Sequence, residues 1–261
     1  MMENVIVDCS APLPCQVAVR SHIGNRKEQQ DLMYLRVWNG RLFAALCDGM
    51  GGTKSGGLAS RIAVNTLREW TAQVSSNALP SAFLKEALIR ADEAVASHPE
   101  ISGGSTLSAI VLEGKYLWWA SVGDSPLYVF RDGQLLRVTR AHNYQLKLEE
   151  LRRLGQIEQK QYEAALPQGK ALISYLGIGG LVLFDLTQAP LPLTAGDLLL
   201  LSSDGLPGAL GEDNVRELLA LPLSLEEKAD ALMEAVLRRG NDIQLDNTTF
   251  LLLEAESCQG G

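Results

Sequence analysis

Four aspartates in this chain each stand where a run of apolar, strand-like residues ends or begins. They are Asp48 after residues 42–47, Asp124 after residues 118–123, Asp204 after residues 198–203, and Asp246 before residues 248–253. Buried strands carry their end residues to fixed positions in a fold. Carboxylates at the mouths of several strands can therefore be collected at one place.

The chemistry of such a cluster follows from its ligand type. Neither histidine nor cysteine joins the set, and oxygen-only ligation suits Mg²⁺, Mn²⁺ or Ca²⁺ rather than zinc or copper. Two carboxylates about 4 Å apart repel each other by about 4 kcal/mol at an effective dielectric near 20. Two divalent ions would reverse that repulsion, hold a phosphoryl oxygen and activate a water molecule.

A single Asp-Gly pair is better explained as a turn. Asp132-Gly133 lies between the apolar runs 127–130 and 135–138, and a hairpin accounts for it fully. Four aspartates placed at strand ends shift the interpretation toward a metal site, but only a metal site in general.

Bulk composition excludes several classes of protein. The chain has 261 residues, 46% of them hydrophobic, with a net charge of -8. This charge disfavours nonspecific binding to nucleic acid or to anionic membranes. No apolar run is long enough for a membrane-spanning helix, and no signal peptide is evident at the N-terminus. The four cysteines show no metal-finger spacing and are interpreted as free thiols of a cytoplasmic protein; they are Cys9, Cys15, Cys47 and Cys258.

The strands and helices that must position the aspartates alternate in blocks along the sequence. Turns at Asn39-Gly40, Glu113-Gly114 and Asp132-Gly133 predict three antiparallel hairpins, which makes a doubly wound parallel sheet improbable. Apolar residues at helical spacing predict helices over about 59–74, 84–95 and 225–236. The last helix begins with a Ser224/Glu227 capping box. We expect an α+β fold of two stacked antiparallel β-sheets flanked by α-helices, a four-layer α-β-β-α sandwich.

Residues 141–170 differ from the rest of the chain. They are charged and rich in glutamine, with a short helical pattern around residues 146–154. We interpret them as an exposed, flap-like excursion from a single domain, 1–261, whose core spans about 17–254. The three histidines, His22, His98 and His142, are interpreted as surface or structural residues.

Six short motifs, in order, resemble those of the metal-dependent Ser/Thr protein phosphatases of type 2C, in particular the bacterial members. The likeness extends from about Val17 to Glu254. The motifs are Arg26-Lys27-Glu28-Gln29-Gln30-Asp31, Asp48-Gly49-Met50-Gly51-Gly52, Gly103-Gly104-Ser105-Thr106, Val122-Gly123-Asp124-Ser125, Ser202-Ser203-Asp204-Gly205-Leu206 and Asp246-Asn247-Thr248-Thr249.

The resemblance implies a role for each matching residue. Asp48 would bridge two Mn²⁺ or Mg²⁺ ions, with the Gly49 carbonyl close to one of them, and Asp204 and Asp246 would complete the protein ligands of the first ion. Asp124, with Asp204, matches a third, weaker metal site. Arg26 would grip the substrate phosphate, for which its forked guanidinium is suited. Gln30, Asp31 and Asn247 would lie next to the metal ligands and support them without binding the ions directly.

The implied activity is hydrolysis of phosphoserine and phosphothreonine in proteins by metal-activated water, without a phosphoenzyme. Phosphoprotein substrates and a cognate Ser/Thr kinase are the implied partners. Several positions depart from the commoner pattern, among them Ala141-His142-Asn143 in place of a usual Asp-His-Ser. Gln30 is neutral where a carboxylate is frequent, Met50 replaces a histidine of many eukaryotic members, and Gly208 replaces a further aspartate that would support the third metal.

Two other interpretations compete with this one. Residues 49–57 are rich in glycine and contain Lys54-Ser55, but a P-loop requires glycines where Asp48 and Thr53 stand. A catalytically weak, phosphatase-like module that binds phosphoproteins or partners stays open, and Gln30 and Gly208 are its best support.

Overall fold

The structure is a computed structural model. It describes residues 4–9, 15–51, 55–74 and 78–255. Its strands are β1 (Val5–Cys9), β2 (Gln16–His22), β3 (Asp31–Trp38), β4 (Arg41–Met50), β5 (Gly104–Ser105), β6 (Leu107–Glu113), β7 (Tyr116–Val122), β8 (Leu127–Arg131), β9 (Gln134–Arg137), β10 (Asp185–Leu186), β11 (Leu191–Pro192), β12 (Leu198–Ser202) and β13 (Thr248–Glu254). Its α-helices are α1 (Ser55–Gln73), α2 (Pro80–Ala96), α3 (Tyr144–Arg153), α4 (Gln159–Ala165), α5 (Gly205–Leu210), α6 (Glu212–Leu219) and α7 (Leu225–Arg239).

The strands form two sheets. The first has the order β1-β3-β4-β6-β7-β10, with β5 paired to β4 and β11 paired to β7. The second has the order β2-β13-β12-β8-β9. All pairings within the second sheet are antiparallel. In the first sheet, β1 runs parallel to β3, a pairing that the hairpin pattern did not predict.

Alternation along the strands divides the apolar side chains among three layers of core. In β3 and β4, Tyr34 and Phe43 pack under α1 and α2, whereas Met33 and Leu42 face the second sheet. In β12, Leu199 and Leu201 face the first sheet, and Leu198 and Leu200 pack against α5–α7. Because successive side chains of a strand point to opposite faces, each sheet is covered on both sides. The predicted four-layer α-β-β-α sandwich is confirmed.

The three hairpins lie where the sequence placed them. Asn39 and Asp132 adopt positive φ angles, 48° and 50°, followed in each case by a glycine with positive φ. This backbone twist suits a two-residue turn between antiparallel strands. The second hairpin also lies where expected, and Gly114 in its turn has a φ of 56°.

The predicted helices form as α1, α2 and α7. Ser224 and Glu227 cap α7 reciprocally, the Ser224 Oγ accepting from the Glu227 N–H and the Glu227 carboxylate accepting from the Ser224 N–H. Among the described residues, no helix is both long and apolar enough to cross a membrane.

Residues 141–170 form α3, α4 and a short 3-10 turn, Leu166–Gln168. Leu148 is the buried residue of the two α-helices, so the segment contributes little to the core. Its beginning is different, because His142 is completely buried and lies 3.5 Å from the Asp185 carboxylate. His142 is therefore a structural residue at the root of the segment.

Candidate active site

The four aspartates of the sequence pattern line one cleft of about 570 Å³. Strand pairing brings them there. In the second sheet Ser202 pairs with Phe250, so the end of β12 lies beside the start of β13, and Asp204 and Asp246 reach the same edge. In the first sheet Leu107 pairs with Val122, which places Thr106, next to Asp48, near Asp124. Gly49, Arg26, Gln30 and Asn247 line the same cleft.

The backbone of Asp48 is held from three directions. Its N–H donates to the Thr106 Oγ1 at 3.1 Å, and its carbonyl accepts from the Thr106 N–H at 2.8 Å and from the Ser105 Oγ at 3.1 Å. The Thr106 hydroxyl also shares a 2.7 Å hydrogen bond with Ser125. These bonds fix where the Asp48 carboxylate enters the cleft.

Glycine is required at Gly49 by the close approach of α1. A Cβ at Gly49 would lie 2.1 Å from the carbonyl oxygen of Gly56, inside the first turns of the helix. The Gly49 N–H donates to the Gln30 carbonyl at 3.2 Å. The backbone beside Asp48 is thus clamped between the Gln30 loop and α1, and Gly49 itself lines the cleft.

Asn247 joins the two loops that carry Arg26 and Asp246. Its side-chain amide donates to the carbonyls of Ile23 and Glu28, at 2.8 and 3.2 Å, and its Oδ1 accepts from the Gln30 N–H at 2.9 Å. The Arg26 guanidinium pairs with the Asp246 carboxylate at 2.5 Å, and both side chains are about half exposed. A cation therefore already contacts one of the aspartates at the rim of the cleft.

Asp31 lies behind the cleft rather than in it. It is the cross-strand partner of Asp48 and is almost completely buried. Its Oδ2 accepts from the Ser203 Oγ at 2.8 Å, while its Oδ1 has no hydrogen-bond partner. Both the burial and the missing partner disfavour a negative charge, and burial is the main reason why the pKa of Asp31 is raised to about 7.

The other carboxyl groups share this electrostatic strain. Burial, followed by repulsion from Asp31 and the other three aspartates, holds the pKa of Asp48 well above its usual range. Asp204 meets the solvent of the cleft, yet burial of its carboxyl and repulsion from Asp124 and Asp246 raise its pKa to about 6. Burial also raises the pKa of Asp124.

This donor set fits divalent cations. Bound cations would relieve the mutual repulsion and stabilise the ionised form of every carboxylate. Among the described residues, no three acidic, histidine or cysteine side chains are already closed around one point. The aspartates thus share a cleft without forming a closed cage, which leaves room for water and for a phosphoryl group.

The sequence patterns did not single out three residues of the site, which are Thr106, Ser203 and Lys170. Thr106 and Ser203 stood within recognised motifs, but their hydrogen bonds to the Asp48 backbone and to the Asp31 carboxylate depend on strand pairing. Lys170 lines the cleft, and its positive charge acts on Asp124 and Asp204. No local pattern in the sequence distinguishes it from the other charged residues of its segment.

The fold is that of solved bacterial serine/threonine phosphatases. The structure of the S. agalactiae serine/threonine phosphatase superposes with a TM-score of 0.77 at 25% identity, covering 92% of this chain and 99% of that one. The catalytic domain of the phosphatase PstP, solved in complex with two manganese ions, gives a TM-score of 0.71 at 31% identity, with 92% and 97% coverage.

Sequence comparison leads to the same class. The serine/threonine phosphatase stp of Listeria welshimeri is 31% identical over 225 residues, which are 83% of this chain and 85% of the relative. The family model for protein phosphatase 2C matches residues 20–246. The chain belongs to the protein phosphatase 2C family.

Gln30 gives a specific prediction about metal binding. Gln30→Glu adds a negative charge to the cleft at nearly unchanged size, so half-maximal activity should require up to about tenfold less Mn²⁺, equivalent to about 1.4 kcal/mol. Activity titrations with Mn²⁺ measure the shift. The control is Gln244→Glu, the same change at an exposed residue of the cleft, which should move the curve less. Superimposable curves for Gln30→Glu and wild type would show that Gln30 does not act on the ions.

Proposed function

We propose that this protein hydrolyses phosphoserine and phosphothreonine in proteins with water activated by two divalent metal ions, Mn²⁺ or Mg²⁺. The observation that supports this most strongly is the convergence of Asp48, Asp124, Asp204 and Asp246 on one cleft. The proposed catalytic unit is one domain, spanning about residues 17–254.

Four groups of the cleft have a metal-binding role in this proposal. Asp48, the Gly49 carbonyl, Asp204 and Asp246 would hold the ions. When bound, the two ions supply Lewis acidity toward the phosphoryl oxygens and make water a stronger nucleophile at neutral pH. Water attacks phosphorus, the ester P–O bond breaks, and the products are inorganic phosphate and the serine or threonine hydroxyl.

The surrounding residues prepare the carboxylates for this task. Thr106 and Ser105 fix the Asp48 backbone, and Asn247 fixes the loop that carries Asp246. Because these groups are positioned before substrate binds, little reorganisation is needed during the reaction. Met50, also on the cleft, offers no proton, so the leaving oxygen is not protonated from that position.

The substrates are phosphoproteins, and the chemistry requires a Ser/Thr kinase that makes them. We include such a kinase as a partner in the proposal. We also place the enzyme in the cytoplasm, a reducing compartment that suits the free thiols of Cys9, Cys15 and Cys47. Cys258 lies outside the described residues.

The test is hydrolysis of an aryl phosphate and of a phosphothreonine peptide by the purified protein. With Mn²⁺ or Mg²⁺ both substrates should be turned over, and EDTA should abolish turnover until excess Mn²⁺ is returned. Turnover that persists in chelator would overturn the metal mechanism. Binding of the phosphopeptide without hydrolysis at any Mn²⁺ concentration would favour a phosphatase-like binding module.

Arg26 is assigned to the substrate phosphate because its guanidinium lies on the cleft beside Asp246. Arg26→Ala should raise KM for the phosphopeptide and lower kcat/KM by about 10- to 100-fold, equivalent to about 1.4–3 kcal/mol. Arg26→Lys should restore part of the loss, since it keeps the charge without the fork.

The matched control for Arg26 is Lys27→Ala, which removes a neighbouring positive charge that also lines the cleft. Steady-state kinetics of the three variants on one phosphopeptide decide the assignment. If Arg26→Ala and Lys27→Ala both leave kcat/KM at the wild-type value, the phosphate is held elsewhere.

A further inference from the structure

Lys170 brings a positive charge to the cleft that Asp124 and Asp204 also line. Its position is fixed by its neighbours, because the Gln145 N–H donates to the Gly169 carbonyl at 2.9 Å and the Tyr144 N–H donates to the Ala171 carbonyl at 2.8 Å. These bonds anchor the start of α3 to the backbone on both sides of Lys170. Within the described part of the chain, no hydrogen bond or ion pair engages the Lys170 ammonium.

The loop that carries Lys170 lies beside Asp124. The backbone N–H of Ile173 donates to the His142 carbonyl at 3.0 Å, and the backbone N–H of His142 donates to the Gly123 carbonyl at 2.8 Å. Asp124 has one further basic neighbour, Arg137, whose guanidinium donates to the Asp124 carbonyl at 2.9 Å.

The helix that follows Asp204 carries no carboxylate one turn further on. Gly208 lies one helical turn after Asp204 in α5, and its N–H donates to the Asp204 carbonyl at 2.8 Å. Residues four apart lie on the same face of a helix, so a side chain at 208 would lie above Asp204. A Cβ at Gly208 would meet nothing within 4 Å, so space is not the reason for the glycine.

We propose that the Lys170 ammonium is a built-in cation that balances Asp124 and Asp204, in the place where the family resemblance implies a third, weaker metal ion. The wild-type protein accordingly holds two divalent ions, and its third site stays weak. Lys170 is a positioning residue, because it acts through these two carboxylates rather than on the substrate. This inference rests on the proposed two-ion site.

The physical reason is competition for the same two carboxylates. An ammonium and a divalent ion repel each other in proportion to the product of their charges, and a tethered ammonium needs no concentration in solution. Removing the ammonium should therefore strengthen a third Mn²⁺ site. A lysine that only filled space, or only packed at the root of α3, would not affect the number of ions bound.

The experiment measures Mn²⁺ bound per chain by equilibrium dialysis, with free Mn²⁺ read by electron paramagnetic resonance. Wild type should saturate two strong sites and leave the third weak. Lys170→Gln, which removes the charge, should tighten the third site by about five- to tenfold. Lys170→Arg, which keeps the charge, should bind as wild type does. Adding Gly208→Asp to Lys170→Gln should tighten the third site further.

Lys160→Gln is the control, since it removes a charge from an exposed residue of α4 in the same segment. It should leave Mn²⁺ binding unchanged. The proposal is overturned if wild type and Lys170→Gln bind a third Mn²⁺ equally well. It is also overturned if Lys170→Gln leaves metal binding unchanged and raises KM for a phosphopeptide, which would make Lys170 a substrate contact. Failure of the wild type to bind two Mn²⁺ ions would instead contradict the proposed function.

Discussion

Asp48→Asn is expected to reduce turnover of an aryl phosphate by about a thousandfold or more at saturating Mn²⁺, while the metal-free protein becomes more stable. Burial and repulsion from the other four aspartates both act on the Asp48 carboxylate, so its negative charge destabilises the metal-free protein. The same charge is the one that would hold both ions in place. Removing it eliminates ligation and repulsion at once.

Asp132→Asn is the matched control for this substitution. Asp132 is exposed in the β8–β9 hairpin with a positive φ that asparagine tolerates. The control should leave both turnover and the thermal midpoint close to wild type. A rate near wild type for Asp48→Asn at saturating metal would show that Asp48 is not essential to the ion site.

The second large effect is on stability: metal-free protein should be more stable near pH 5 than near pH 8. The pKa of Asp31 is raised from 3.8 to about 7 and that of Asp204 to about 6, mainly by burial. The folded state therefore binds these protons more tightly than the unfolded chain does. The resulting stability is complete below about pH 4 and is lost as the pH rises through 6 and 7.

Thermal unfolding in EDTA measures this dependence. We expect the midpoint to rise by about 5 °C or more from pH 8 to pH 5, because each kcal/mol corresponds to about 2–4 °C in a chain of this size. Burial raises the pKa of Asp185, but His142 and Arg140 outweigh it and lower the value to about 2, so the opposite contribution of Asp185 falls below this pH window. Saturating Mn²⁺ should reverse the slope. A midpoint that falls steadily from pH 8 to pH 5 in EDTA would contradict the electrostatics described for the cleft.

Much of the fold could be predicted because local and global signals agree. The hairpin at Asn39-Gly40 has both the turn residues and flanking strands of alternating side-chain orientation. Helix α7 has a capping box, an apolar stripe and basic residues in its last turn. The aspartates were recognisable because each lies near the end of a largely buried strand, Asp48 within the last residues of β4 and the other three just outside β7, β12 and β13. Strand pairing then brought them together without further information.

Other features depend on contacts that no local pattern encodes. Strand β1 is short and half-buried, and its parallel pairing with β3 is set by tertiary packing. His142 lies in a polar stretch of sequence, yet its side chain is buried, with Gly123 and Asp185 as neighbours. Lys170 is one of several charged residues in its segment, and only the fold shows that it lines the cleft.

The most direct test of the account is a crystal structure of the protein with Mn²⁺, with ions located by anomalous scattering. We predict two strong peaks in the cleft, with the Asp48 carboxylate contacting both and Asp204 and Asp246 contacting one of them. Peaks outside the cleft, or two ions within it that leave Asp48 without a contact, would contradict the account.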